Sequence, residues 1–197
     1  MARKNLTQPG ETTIAGIDGN DNINYARINS GNRGLLTIPP ILCKIFAGKE
    51  FFYSEAFELA ETTDTQDYIF VTPNTTEWAH FAFHATGSAI TEVALWEDTK
   101  YSSTDELTTY NNNRNSATPP SSKLYQVTAT STTDTGTRLI HVKSGSATRQ
   151  SKDSMSAGYA DELFLKQNAK YRISFATAST SNLCNLLIQW HEHTNGS

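Results

Sequence analysis

Alternation of apolar and polar residues with a period of two is the feature that most constrains how this chain folds. It is clearest over Glu77–Thr86 and recurs over Ile90–Asp98. Successive side chains of a β-strand point to opposite faces, so this pattern predicts strands with one apolar and one polar face. In the clearest segment the two predicted faces are Ala79, Phe81, Phe83 and Ala85 against Trp78, His80, Ala82 and His84.

Short strands separated by polar turns fill most of the chain beyond Phe51. The chain contains 27 Thr, 18 Ser and 15 Asn, and threonine favours strands whereas serine and asparagine favour turns. Asp134-Thr135-Gly136 is predicted to form a hairpin turn. A turn of helix is the alternative to a strand in two segments, Phe51–Glu61 and Asp105–Tyr110. The other predicted strands are Tyr68–Thr72, Leu124–Thr130, Thr137–Lys143, Glu162–Lys166, Lys170–Ala176 and Leu183–Glu192.

About seven or eight such strands must each bury one apolar face, which favours two sheets packed against each other. We therefore predict an all-β fold, a jelly-roll-like β-sandwich, with a β-barrel as the alternative. The predicted core residues are Phe81, Phe83, Leu95, Leu163, Leu165, Phe175, Leu187 and Trp190.

Charge divides the chain near residue 49. Residues 1–49 carry six basic and three acidic side chains, a net charge of +3, whereas residues 50–197 carry ten basic and seventeen acidic side chains, a net charge of −7. The first stretch also has too little apolar surface to fold alone. We predict an extended N-terminal arm over residues 1–49, with strand-like pieces at Thr13–Ile17 and Asn24–Ile28. The β-sandwich domain is predicted over residues 50–197.

The overall composition argues against several classes of partner. A net charge of −4 and a pI of about 5.7 disfavour nucleic acid and anionic membranes. No apolar run approaches the ~20 residues of a membrane span, and the N-terminus lacks the apolar segment of a signal peptide. Cys43 and Cys184 are too few for a disulfide framework, so we expect two free, buried thiols in a reducing cytoplasm.

Histidines are the strongest candidates for metal chemistry. On a strand, His191 and His193 would share a face, with Glu192 on the other. A closed zinc site needs four ligands and a catalytic one three, and no third ligand is evident from spacing. His80 and His84 would lie ~13 Å apart along a strand, too far to share one ion. We therefore predict no metal site.

Motifs for catalysis or cofactor binding are also missing from the sequence. It contains no Gly-x-Ser-x-Gly nucleophile elbow and no glycine-rich phosphate-binding loop. The apolar surroundings of Cys43 would raise the pKa of its thiol and leave it unreactive. We predict no enzyme, no catalytic residue and no cofactor. A hydrolase stays as a third hypothesis, which requires converging carboxylates or histidines.

Aromatic residues at predicted exposed positions allow a second functional hypothesis. They would either line a sugar-binding face of the sandwich or serve as core and interface anchors. The candidates are Trp78, Trp96, Tyr101, Tyr110 and Tyr125.

A two-part motif stands near the end of the chain. Its first part reads Glu-Leu-x-Leu-x-x-Asn-x-x-Tyr, and its second part ends a strand with Trp-x-Glu-His. The residues of the motif are Glu162, Leu163, Leu165, Asn168, Tyr171, Trp190, Glu192 and His193, and Asn24–Ser30 and Asn113–Ser116 precede them. This order resembles a group of tailed-bacteriophage virion proteins of the head-decoration, or cement, kind. Gln167 departs from the proline that is common before the asparagine in that group.

The resemblance implies structural roles for these residues. Leu163 and Leu165 would face the core, Asn168 would turn a hairpin and Trp190 would fill the sandwich.

The resemblance also implies a virion protein, made in the host cytoplasm, that binds the assembled head and bridges capsomers. Its partners would be the major capsid protein and sister copies in a homo-oligomer, for example a trimer. The alternative is a tail- or fibre-associated module that binds glycan. The residues expected to contact the capsid are Arg3, Lys4, Arg27 and Arg33.

Overall fold

A computed structural model gives the structure of most of the chain. It divides the chain into two units, Met1–Cys43 with Gly196–Ser197, and Lys44–Asn195. The residues that it describes are 13–17, 23–27, 44–74, 76–100, 105–127, 136–145, 154–157 and 162–194.

The described part of the first unit is a pair of antiparallel strands. Strand β1 (Thr13–Ile17) pairs with β2 (Ile23–Arg27), with Thr13 opposite Arg27. The two predicted strand-like pieces are therefore confirmed, the second shifted by one residue. The division into an arm over residues 1–49 and a sandwich beyond it stays a prediction.

The second unit contains two antiparallel sheets. The first has the order β10-β6-β13-β4-β9-β7, and the second has the order β11-β5-β14-β3-β8, with β12 also paired to β5. The strands are β3 (Glu50–Leu59), β4 (Thr65–Val71), β5 (Glu77–Gly87), β6 (Thr91–Glu97), β7 (Asp105–Glu106), β8 (Tyr110–Asn111), β9 (Lys123–Val127), β10 (Thr137–Ser144), β11 (Ser154–Ala157), β12 (Leu163–Phe164), β13 (Lys170–Thr177) and β14 (Asn182–Thr194).

The strand order is that of a jelly roll. The chain alternates between sheets from β3 to β6, so that β10-β6-β13-β4 packs against β11-β5-β14-β3. The predicted all-β, jelly-roll-like β-sandwich is confirmed. The alternating pattern gives each sheet one apolar face, and the two sheets bury these faces against each other.

Aromatic side chains dominate the core between the sheets. The Trp190 ring centroid lies 5.7 Å from that of Phe51 in its own sheet and 5.2 Å from that of Phe70 in the opposite sheet. Phe57 and Phe175 meet edge to face across the sheets at 5.1 Å. Such pairs contribute about 0.5–1.5 kcal/mol beyond the burial of their area.

Most of the predicted core residues are buried as expected. Leu163 packs against the core while partly buried, and the prediction for Leu187 is wrong. Leu186 and Ile188 point inward in its place, so Leu187 points to the outer face of β14. Leu186, Leu187 and Ile188 are all apolar, so the alternation does not indicate which of them faces the core. The confirmed buried residues are Phe81, Phe83, Leu95, Leu165, Phe175 and Trp190.

Three local predictions are corrected by the structure. Strands β9 and β10 do not form a hairpin, because β6, β13 and β4 lie between them in the first sheet. Phe51–Glu61 is strand for most of its length, since tertiary pairing with β14 decides its conformation. Asp105–Tyr110 likewise contains β7 and the start of β8. A single helical turn occurs instead at residues 44–46.

Candidate functional site

Three histidines meet on the outer face of the second sheet. Strands β5 and β14 are neighbours, and their register places His191 opposite His80 and His193 opposite Trp78. The core faces of these strands are occupied by Phe81 and Trp190, so the histidines project to the other side. The His80 ring stacks on that of His191 with centroids 4.2 Å apart and lies 4.4 Å from that of His193.

Glu162 completes this cluster. It precedes β12, which pairs with β5 so that Phe164 lies opposite His80. One Glu162 carboxylate oxygen lies 3.2 Å from Nδ1 of His80, and the other lies 3.1 Å from Nδ1 of His191. Nε2 of His80 contacts Nε2 of His193. We call His80, Glu162, His191 and His193 the histidine cluster.

Two histidines of the cluster are shielded from solvent. His80 and His191 are 8% and 9% exposed, and the Phe164 ring centroid lies 3.6 Å from that of His80. Burial lowers the pKa of His191 to about 4, assisted by the charges of His80 and Lys44. Burial also lowers the pKa of His80, against the opposing effect of Glu162. Burial thus favours the neutral form of both imidazoles, which is the form that binds metals.

The sequence predicted only part of this arrangement. His191 and His193 do share a face, and Glu192 does lie on the other. His80 and Glu162 were missing from the predicted group, because alternation reports the face of a residue and not its neighbouring strand. His84 stays apart from the group, since it lies opposite Leu187 further along the same pair of strands.

Glu192 has a different role, on the inner side of β14. Glu192 is 1% exposed, and its carboxylate accepts the backbone N–H groups of Ser121 at 2.8 Å and Ser122 at 2.7 Å. It also accepts the indole N–H of Trp190 at 3.2 Å. Residues 112–122, which join β8 to β9, form a long polar loop. The Trp-x-Glu part of the sequence motif thus holds the end of this long polar loop against the last strand.

The first part of the motif forms a bonded turn. Asn168 adopts a left-handed conformation with φ of 51°, and the Tyr171 hydroxyl accepts the Lys166 N–H and donates to Glu97. Thr72 donates to the carbonyl of Lys166 at 2.7 Å. The prediction of a turn at Asn168 is confirmed, but the turn joins strands of different sheets and is no hairpin.

The two tryptophans proposed for a sugar-binding face lie on different sheets. Trp78 belongs to β5 in the second sheet, and Trp96 belongs to β6 in the first. The guanidinium groups of Arg138 and Arg172 lie 5.4 Å and 5.2 Å from the Trp96 ring, and its indole N–H donates to Ser174. These two residues therefore form no shared aromatic surface.

The remaining aromatic candidates are also dispersed. Tyr110 contacts Phe52 in the second sheet, with ring centroids 5.8 Å apart. Tyr125 belongs to β9 in the first sheet. Tyr101 lies outside the described residues.

The residues predicted to contact a capsid belong to the first unit. Arg27 ends β2, and Arg3, Lys4 and Arg33 lie outside the described residues. The structure therefore leaves these predictions untested. Cys43 also lies outside this part of the chain, whereas Cys184 is a free, buried thiol as expected.

An open edge is the other notable surface of the sandwich. Strand β10 ends the first sheet, and among the described strands it pairs with β6 alone, from Thr137 to Ser144 with a bulge between Arg138 and Ile140. Leu139 and Val142 on this strand are 43% and 40% exposed. An edge strand presents backbone N–H and C=O groups that can pair with another chain.

Comparison of the chain with protein-family models and with curated protein sequences found no match. Within the described residues, no helix has the length and apolar character that crossing a membrane requires.

Proposed function

We propose that this protein is a non-enzymatic structural protein of a tailed-bacteriophage virion. In this proposal it is a head-decoration protein that binds the assembled head and bridges capsomers. Its partners are the major capsid protein and sister copies of the chain, and its place is the virion.

The observation that carries the proposal is the role of the motif residues. Trp190 and Glu192 fill the core and anchor the long loop, and Asn168 and Tyr171 form the turn between the sheets. Leu165 is buried in the core. Most of the residues that carry the resemblance hold the sandwich together, which supports a likeness of the whole fold over a chance match of short segments.

Two features favour attachment to other proteins. The contrast between +3 on residues 1–49 and −7 on residues 50–197 would steer the arm toward acidic surfaces and speed association. The open edge of β10, with Leu139 and Val142 exposed, offers backbone pairing and apolar contact to a neighbouring subunit. Backbone pairing would supply most of the affinity, because exposed charges are screened by salt.

The first experiment is cosedimentation of the purified protein with assembled heads of its cognate major capsid protein. We expect the full chain to saturate the heads and the variant lacking residues 1–49 to bind with much lower occupancy. Circular dichroism confirms that the truncated sandwich is folded. Unchanged occupancy would contradict the role of the arm, and failure of the full chain to bind heads would contradict the proposed function.

A second experiment tests the edge. The double variant Leu139→Lys/Val142→Lys removes two exposed apolar side chains from β10, and we expect lower head occupancy or loss of self-association. Leu183→Lys is the matched control, because Leu183 is 59% exposed on the other sheet. Equal effects of the edge and control variants would exclude this edge as an attachment surface.

A further inference from the structure

The hydrogen-bonding groups of the histidine cluster do not match one another when every imidazole is neutral. A neutral imidazole has one N–H donor and one bare nitrogen. The Nδ1 of His193 lies 2.9 Å from the carbonyl oxygen of Thr194, which can only accept, so Nδ1 carries the proton. Nε2 of His193 is then bare, and it faces Nε2 of His80.

Neither neutral form of His80 resolves the mismatch. With its proton on Nδ1, His80 donates to Glu162, but two bare Nε2 atoms face each other. With its proton on Nε2, His80 donates to His193, but its bare Nδ1 faces a Glu162 carboxylate oxygen 3.2 Å away. Lone pairs opposed at contact distance in a buried site are unfavourable, so the cluster needs one additional positive charge.

We propose that a divalent transition-metal ion of the zinc class supplies this charge. Its ligands are Nδ1 of His80, Nδ1 of His191 and the carboxylate of Glu162. His193 is a positioning residue, which accepts the Nε2–H of His80 and donates its own Nδ1–H to the backbone. This arrangement pairs every nitrogen of His80 and His193 with a group of the opposite kind.

The geometry supports this ligand set. His80, Glu162 and His191 each offer one ligand atom within 4.8 Å of the others. One carboxylate oxygen of Glu162 lies 3.2 Å from Nδ1 of His80, and the other lies 3.1 Å from Nδ1 of His191. Two ligands of a tetrahedral ion with bonds of about 2.0–2.1 Å stand about 3.3 Å apart. A donor set of two imidazoles and one carboxylate suits zinc-class ions, whereas calcium and magnesium prefer oxygen alone.

The surroundings resemble those of bound metals in other proteins. Metal-binding histidines usually direct their other nitrogen to a fixed partner that sets the ring orientation, as His193 does for His80. Phe164 covers the His80 ring. Glu50 is the register partner of His191 on β3 and borders the same small pocket as Glu162, so a second carboxylate lies near the proposed cation.

Calorimetry of the metal-free full chain with Zn²⁺, together with elemental analysis after dialysis, measures the affinity and the stoichiometry. We expect one ion per chain. Substitution with Co²⁺ should produce visible absorption bands of a four- or five-coordinate nitrogen and oxygen site. These bands report the ligands directly and do not depend on any variant.

Variants assign the ligands. We expect His191→Gln and Glu162→Gln each to abolish saturable binding, and His84→Ala, on the same face but outside the cluster, to leave it unchanged. We expect His193→Ala to weaken binding by about 10–100-fold while the Co²⁺ bands keep their positions. His193→Gln, which retains an acceptor for His80, should restore part of the affinity.

Circular dichroism verifies that each variant is folded. The proposal is overturned if the wild-type chain does not bind one Zn²⁺, or if Zn²⁺ binds equally well to the His191→Gln and Glu162→Gln variants. In the second case the ion lies elsewhere on the chain.

Discussion

Replacing Glu192 with glutamine tests how the long polar loop is held to the sandwich. The carboxylate accepts three N–H groups: those of Ser121, Ser122 and the Trp190 indole. Glutamine has nearly the same shape but only one acceptor oxygen, and its NH₂ group must face at least one of the three donors. The substitution therefore changes hydrogen bonding with little change in packing.

The expected loss can be worked out from these contacts. The least costly orientation directs the amide oxygen to Ser122 and Trp190 and the NH₂ group to Ser121. This leaves one donor unpaired, at about 1–3 kcal/mol, and converts two charge-assisted hydrogen bonds into weaker neutral ones. We expect Glu192→Gln to lower the free energy of unfolding by about 2–4 kcal/mol. In a domain of this size the melting temperature falls by about 2–4 °C per kcal/mol.

Urea unfolding followed by circular dichroism measures this loss, and hydrogen exchange locates it. The amides of Ser121 and Ser122 should exchange faster in the variant, whereas those of the central strands should keep their order of protection. Glu58→Gln, at an exposed position of β3, is the matched control and should change stability by less than about 0.5 kcal/mol. A stability change in Glu192→Gln no larger than in this control, with Ser122 still protected, would refute the proposed anchoring role.

Two further predictions concern a turn and a thiol. Asn168 has a φ of 51°, so we expect Asn168→Ala to destabilise the fold by about 1 kcal/mol and Asn168→Gly to be nearly neutral in urea unfolding; equal stability of both variants would contradict strain at this turn. Burial raises the pKa of Cys184 to about 11 from an ordinary value of 9.0, which lowers its thiolate fraction at pH 8 by about 100-fold. Peptide-level mass spectrometry should therefore find Cys184 alkylated at least that much more slowly in the native protein than in urea, and similar rates in the two states would refute this burial.

The fold class, and the face that each strand buries, could be predicted from the sequence wherever apolar and polar residues alternate strictly. Strand β5 has the two faces that its sequence indicates, with Phe81 and Phe83 inside and His80 outside. Prediction from the sequence failed at Leu187, which lies within an apolar run without alternation. It also failed at the hairpin expected around Gly136, because turn residues mark a change of direction without identifying the partner of the next strand.

The sequence by itself determined that this chain forms pleated strands with one buried face, because side-chain direction is a local property with a period of two residues. Only the tertiary structure decided which strands are neighbours and in what register. That choice places His80 beside His191 and brings Glu162 over both. Pairing between distant strands depends on the packing of the whole core, so no local spacing in the sequence could reveal this cluster.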